Sequence, residues 1–167
     1  NEGKIEPLKI PAMTAVVNQS RPESRGSVHV KTAQPGDAPE IHANYLSAEL
    51  DRKTIVKGIR LLLEIFAADP LKDHLTGRLA PSSEIDISSD EELLEYIRQD
   101  ASTVYHPTST CSIGKVVDEN LFVQGVSGLS IADASVMPYV VSGNTNAASI
   151  MIGEKASDIL KQSNQTP

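Results

Sequence analysis

The strongest pattern in the chain is a helical repeat: Ile55, Ile59, Leu62, Leu63 and Phe66 recur at spacings of 4, 3, 1 and 3. That spacing lays the apolar side chains along one stripe of a helix, which then needs a surface to cover it. Asp51 is a favourable N-cap, and the helix is expected to run to about Phe66, where Asp69-Pro70 ends it. Ser89-x-x-Glu92 is a capping-box pattern. It predicts a second helix with Leu93, Leu94, Ile97, Ala101 and Val104 on one face. A third helix is expected from about Asn146 to Lys161, with Ala148, Ile152, Ala156, Ile159 and Leu160 on one side. Lys155 and Lys161 lie toward its carboxyl end, which suits the helix dipole.

Between these helices the pattern changes period. Ser27–Thr32 alternates, with Val28 and Val30 on one face, and predicts a strand. Gln34-Pro35-Gly36-Asp37 is a turn, and Glu40–Leu46 reads as a second strand, antiparallel to the first if the turn closes a hairpin. Lys115–Val117, Leu121–Gln124 and Leu129–Ala132 are short apolar pieces that also read as strands. Residues 1–15 form a Pro-punctuated opening segment, and 162–167 a polar tail expected to fray. Strands mixed with helices, antiparallel where a hairpin is legible, make the class α+β or mixed α/β.

Composition narrows the function. The chain has 167 residues and a net charge of −7, a poor match to nucleic acid or to an anionic membrane surface. Aromatics are 4% with no Trp, so a base-stacking platform is not expected. The longest apolar candidate, Gly58–Ala68, is broken by Arg60 and Glu64 and predicts no transmembrane segment. One cysteine, Cys111, allows neither an internal disulfide framework nor a cysteine-rich zinc site, and a structural buried thiol is the expected role. No metal-ligand spacing appears among His, Asp and Glu.

Of the four histidines, His29, His42 and His74 sit in ordinary strand or loop contexts. His106 differs, because it follows a helix, precedes Pro107 and is trailed by hydroxyl and thiol side chains. Histidine exchanges a proton near neutral pH, so a histidine at such a junction can act as a general base. Ser142-Gly143-Asn144-Thr145-Asn146 is the second unusual stretch, leading into the last helix. Its Asn and Thr side chains can cap that helix; the same helix start, with free N–H groups, also suits an anion.

Together these stretches form an ordered series: Tyr105-His-Pro-Thr-Ser-Thr-Cys-Ser-Ile-Gly114, Val116-Val-Asp118, Leu121-x-Val-x-Gly-Val-x-Gly-Leu-x-x-Ala-Asp-Ala-Ser-Val-Met-Pro138, Ser142-Gly-Asn-Thr-Asn-Ala147 and Ile150-Met-Ile-Gly-Glu-Lys-Ala156. The series resembles the carboxyl-terminal region of the glucose–methanol–choline (GMC) family of FAD-dependent oxidoreductases. Ser24-Arg-Gly-Ser-Val28 and Pro39-Glu-Ile-x-x-Asn-Tyr-Leu46 resemble that family's substrate domain. No Gly-x-Gly-x-x-Gly occurs, so the amino-terminal FAD-binding portion is expected as a separate part or chain of the same enzyme.

The resemblance implies an antiparallel substrate domain with flanking helices over 16–128, and the last strand and helix of the FAD-binding domain over 129–161. It implies an FAD-dependent alcohol oxidase or dehydrogenase in which His106 removes the hydroxyl proton of a small-molecule alcohol substrate and hydride passes to flavin N5. Asn144 would hold the substrate oxygen. Asp133, Ala134, Thr145 and Asn146 would contact the cofactor FAD, and Tyr139 and Val140 would line the substrate side. Ser109 stands where the family commonly has Gly. The same resemblance admits a hydroxynitrile lyase using the same histidine, or a substrate-domain fragment inactive on its own.

Overall fold

The computed structural model describes residues 9–163; the opening residues 1–8 and the tail residues 164–167 lie outside the described range. Its regular elements are β1 (Ser27–His29), β2 (Glu40–His42), α1 (Glu49–Ala67), α2 (Asp90–Asp100) and α3 (Asn146–Ser163), with single 3-10 turns at Leu71–His74 and Ala134–Val136. The class is α+β.

β1 and β2 form the expected antiparallel hairpin, with Val28 opposite Ile41 and Ser27 opposite His42. Both strands are shorter than their alternation predicts. At the turn, Thr32 Oγ1 donates to Asp37 Oδ2 at 2.5 Å and accepts from the Gln34 amide at 3.1 Å, so side chains replace the ladder there. At the other end, Asn44 and Leu46 take φ of 53° and 57°, which turns the chain out of the extended conformation after His42. Gly26 lies so close to β2 that a Cβ would meet the His42 carbonyl oxygen at 2.1 Å, a backbone approach open only to glycine.

α1 begins two residues before Asp51. Its N-cap is Ala48, which makes no side-chain cap bond. Asp51 instead lies buried in the first turn, 3% exposed. Its carboxylate accepts from the amides of Glu23 (2.9 Å) and Ser24 (2.8 Å) and from Ser24 Oγ (2.5 Å). Ser24 Oγ in turn accepts from the Ala48 amide at 3.0 Å. The expected cap is thus replaced by a long-range clasp, because the chain segment crossing the helix start brings unpaired amides to the carboxylate.

That segment runs along α1. Val17 sits against Gly58, where a Cβ would meet Val17 Cγ1 at 2.4 Å, and the Gln19 side-chain amide reaches Thr54 Oγ1 at 3.5 Å. Opposite this side, Val56 joins Leu93 and Ile97 of α2 in a core flanked by Leu46, Ile55, Ile59, Leu94 and Tyr96. Arg60 ties α1 to the start of α2, donating to the carbonyls of Ile87 (3.0 Å) and Ser88 (2.9 Å) and pairing with Asp90.

Ser89 caps α2 as expected, accepting from the Glu92 amide at 3.2 Å. The reciprocal half of the capping box is redirected, since Glu92 Oε2 accepts from the Asp86 amide. α2 stops at Asp100 with an extended C-cap at Ala101, so Ala101 and Val104 do not extend its apolar face, and Val104 is 56% exposed.

The three short pieces expected as strands make isolated bridges only: Val117 with Ile113 and Val123, and Phe122 with Ser130. Successive turns, with Leu121 at φ 67° and Gly125 and Gly128 at positive φ, bend the chain before a ladder can extend. These pieces nevertheless build a second core, Val117, Leu121, Val136 and Ala156, with Ile152 and Ile159 of α3 packed on it. α3 continues to Ser163.

The chain exposes 12880 Å². A compact monomer of 17.9 kDa exposes about 8000 Å². The excess includes large apolar side chains on both cores' outer sides, among them Leu61, Ile65, Ile150 and Met151. Among the described residues no helix is long and apolar enough to cross a membrane.

Two expectations follow. In Gly58→Ala, a helix-propensity gain of about 1 kcal/mol competes with an overpacking cost of about 1–3 kcal/mol against Val17. The denaturation midpoint should fall, and Val17→Ala added to it should restore part of the loss. For Asp51, burial raises the pKa, but the Ser24 hydroxyl and the Glu23 and Ser24 amides outweigh it and hold the carboxyl below its ordinary value. A depressed folded-state pKa contributes stability above the unfolded value, lost as pH falls through the folded one. Wild-type stability should therefore drop on acidification below about pH 4, and in Asp51→Asn, less stable at pH 7, that acid slope should be shallower. Denaturant titrations between pH 3 and 7 give both quantities.

Candidate functional site

The residues singled out in the sequence lie on three segments that the second core holds together. The loop 105–114 is pinned to the Ala134–Val136 turn by two amides: Cys111 donates to the Ser135 carbonyl and Ile113 to the Val136 carbonyl, both at 2.9 Å. Buried Ser112 closes the loop on itself, donating from Oγ to the Ser109 carbonyl at 2.8 Å. Asp133 precedes the turn, and its carboxylate accepts from the Ser135 amide at 2.7 Å. Val136 and Met137 are buried, so the chain leaving the turn toward Ser142–Asn146 starts from a fixed point.

His106 is half-buried, and its Nδ1 lies 3.0 Å from Thr145 Oγ1. Thr145 is 8% exposed and stands immediately before α3, its carbonyl accepting from the Ser149 amide. In an ordinary cap the Thr145 hydroxyl would accept from an amide of the first turn. Here it meets the imidazole, and among the described residues the amides of Asn146, Ala147 and Ala148 have no hydrogen-bond partner. The expected polar cap is not made by Thr145. What remains is an open N-terminus on an 18-residue helix, carrying free N–H groups and a partial positive charge.

The bond to Thr145 also distinguishes the two imidazole nitrogens. With Nδ1–H donating to Oγ1, the lone pair lies on Nε2, which has no partner among the described residues and is not buried. An imidazole oriented at one nitrogen and open at the other can accept a proton from a bound hydroxyl. Asn144 and Asn146, on either side of Thr145, are exposed. Tyr139 is 67% exposed and Val140 half-buried. They line a shallow groove of about 390 Å³ with Arg21, Pro22, Glu23 and Arg25.

His29, His42 and His74 are exposed, and His42 pairs with Glu40 at 3.0 Å. Cys111 is a free, half-buried thiol with no hydrogen bond to His106 among the described residues. No cluster of three metal-ligating side chains occurs among the described residues. Two features escaped the sequence reading: Thr145 as partner of His106, and Arg21 and Arg25 beside the 139–142 turn. The arginines carried one signal, two cations flanking Pro22-Glu23-Ser24 in an acidic chain.

Ser109 adopts φ 76°, the left-handed region that favours glycine.

Residues 22–153 match the family model described as GMC oxidoreductase. An alcohol dehydrogenase [acceptor] of Pseudomonas putida is 43% identical over 83% of this chain and 26% of its own length. The mitochondrial choline dehydrogenase of Mus musculus is 41% identical over 93% of this chain and 27% of its own. Among solved structures, the formate oxidase of Aspergillus oryzae RIB40, studied for modification of its FAD, is similar with a TM-score of 0.79 and 31% identity, over 86% of this chain and 26% of that one. The chain thus spans about a quarter of the length of these relatives.

The left-handed backbone at Ser109 costs a non-glycine residue about 1–2 kcal/mol, part of which Gly forfeits through its freer unfolded chain. Ser109→Gly should raise the denaturation midpoint slightly, by about 0.5 kcal/mol of stability, without loss of the Ser112 bond to the carbonyl at this position.

Proposed function

The chain belongs to the GMC oxidoreductase family, and on that premise we propose that it is the carboxyl-terminal, substrate-facing part of an FAD-dependent oxidoreductase acting on alcohols. The supporting observation is the pairing of His106 Nδ1 with Thr145 Oγ1 at the uncapped start of α3. In this reading 16–128 forms most of the substrate domain, while 129–161 completes the FAD-binding domain whose larger part lies in the amino-terminal portion of the enzyme. The exposed apolar sides of both cores are where that portion would dock.

The donor set fits the cofactor. Three free amides on a helix N-terminus suit an electron-rich, partly anionic edge of a ring system. Asp133, Ala134, Thr145 and Asn146 stand on the two segments that would face it. When bound, FAD supplies a two-electron acceptor for the hydrogen leaving the alcohol carbon.

The chain's own residues supply the acid–base chemistry. His106 accepts the hydroxyl proton at Nε2. The resulting imidazolium keeps its Nδ1–H on Thr145 Oγ1, which fixes the ring plane while the charge develops. Asn144 donates its side-chain amide to the substrate oxygen as negative charge builds there. Tyr139 and Val140 border the space the rest of the alcohol would occupy.

His106→Ala in the full-length enzyme should lower kcat by about 10²-fold or more, the contribution of a positioned general base. Thr145→Val, which keeps the shape and removes the acceptor, should cost about tenfold. Anaerobic mixing with an alcohol panel, read by loss of oxidised-flavin absorbance, measures both. Retention of wild-type rates in His106→Ala would refute the assignment, and the absence of any bleaching with every alcohol would refute alcohol oxidation. The isolated chain should neither retain FAD nor turn over alcohol.

A further inference from the structure

The two cores do not meet through their helices: α1 packs on α2, and α3 packs on the Ala134–Val136 turn. Between them runs a strap, residues 17–25. Its contacts on α1 are Gly58, Thr54 and Asp51, which are four and three residues apart and so form one stripe of the helix. Asp51 grips the backbone of Glu23 and Ser24, the two residues between Pro22 and Arg25. The strap therefore presents two guanidinium side chains from a backbone held on both sides of its turn.

Both side chains reach the segment that leads to the candidate site. Arg21 Nε donates to Ser142 Oγ at 2.6 Å, across 121 residues of sequence. The Arg25 guanidinium carbon lies 5.4 Å from the centre of the Tyr139 ring. Neither arginine forms an ion pair among the described residues, although the chain carries a net charge of −7. Planar guanidinium groups direct N–H bonds and stack on rings in a fixed geometry, which a flexible ammonium does not. These contacts end three residues before Thr145, whose hydroxyl holds His106.

We propose that Arg21 and Arg25 are positioning residues for the candidate site. They brace the Tyr139–Ser142 turn against the strap on α1 and thereby set where Asn144 and Thr145, and through Thr145 the His106 ring, are held. Asp51 acts one step further back, by fixing the strap. The effect on turnover rests on the functional reading above, whereas the effect on the geometry of the turn does not.

The test is amide hydrogen exchange of the full-length flavin-loaded protein, read beside steady-state kinetics, for Arg21→Ala, Ser142→Ala and the double variant. Loss of one charge-assisted hydrogen bond changes a local opening equilibrium by about tenfold. The Gly143 amide, which donates to the Val141 carbonyl at 2.8 Å, should exchange about that much faster in either single variant, and the double variant should be no faster than the singles. Exchange within α1 should not change, and kcat should fall while KM stays within about twofold, as for loss of orientation rather than of binding. Arg25→Ala should quicken exchange of the Gly143 amide in the same way. Unchanged exchange of the Gly143 amide in Arg21→Ala, or full additivity in the double variant, overturns the proposal, as does faster exchange confined to α1 and the strap. Faster exchange of the Gly143 amide with kcat unchanged leaves the brace standing and counts instead against the loop as the active site.

Discussion

A carboxylate buried at the start of a helix has to be answered by hydrogen bonds, because an unpaired buried charge costs several kcal/mol. Asp51 is in that position, and two amides and one hydroxyl of Glu23 and Ser24 answer it. Much of the amino-terminal half follows from this clasp. It lays the strap along α1, places Gly26 against β2, and brings Ser24 to the amide that precedes α1. A residue whose type suits a helix cap thus serves as an anchor, and α1 starts at Glu49 without a side-chain cap.

A similar exchange of roles occurs at the other end of the molecule. Thr145 has the chemistry of an N-cap and the position of one, but its hydroxyl faces His106 Nδ1. Two consequences arise from one bond. The helix keeps its first amides free, and the imidazole is oriented with Nε2 open. Had Thr145 capped α3, the helix would gain about 1 kcal/mol of local stability, and the histidine would lose its one hydrogen-bond partner among the described residues. Local stability is given up at the point where the proposed chemistry would use a positive helix end and a directed base.

The two cores are small, each built around three or four buried residues with half-buried neighbours. Their outer sides remain uncovered, and the total exposed surface exceeds that of a compact chain of this mass. The chain covers about a quarter of each relative's length, and in the proposed reading the rest of the enzyme would cover those sides. With cores this small, internal rigidity has to come from polar braces as much as from apolar burial. The Asp51 clasp, the Arg60 contacts with α2 and the Arg21 link to Ser142 are of that kind.

The sequence by itself determined the helices, because a 3.6-residue period, a Ser89 cap and an Asp69-Pro70 stop are local signals that local hydrogen bonding obeys. It also determined the family and singled out His106, since linked motifs identify a chain without reference to its contacts, whereas the hairpin was legible only as two candidate strands around a turn, and the structure shows that it closes. Strand lengths were less legible: positive φ at Asn44, Leu46 and Leu121 ends extended backbone at residues that do not announce it. Tertiary structure alone decided which side chains meet. Asp51 finds its partners 27 and 28 residues away, His106 finds Thr145 39 residues away, and Arg21 finds Ser142 at 121. At such separations a donor and an acceptor are brought together by the packing of the segments that carry them. The same Asp, Thr or Arg is therefore a cap, a surface charge or a brace according to what the fold sets beside it.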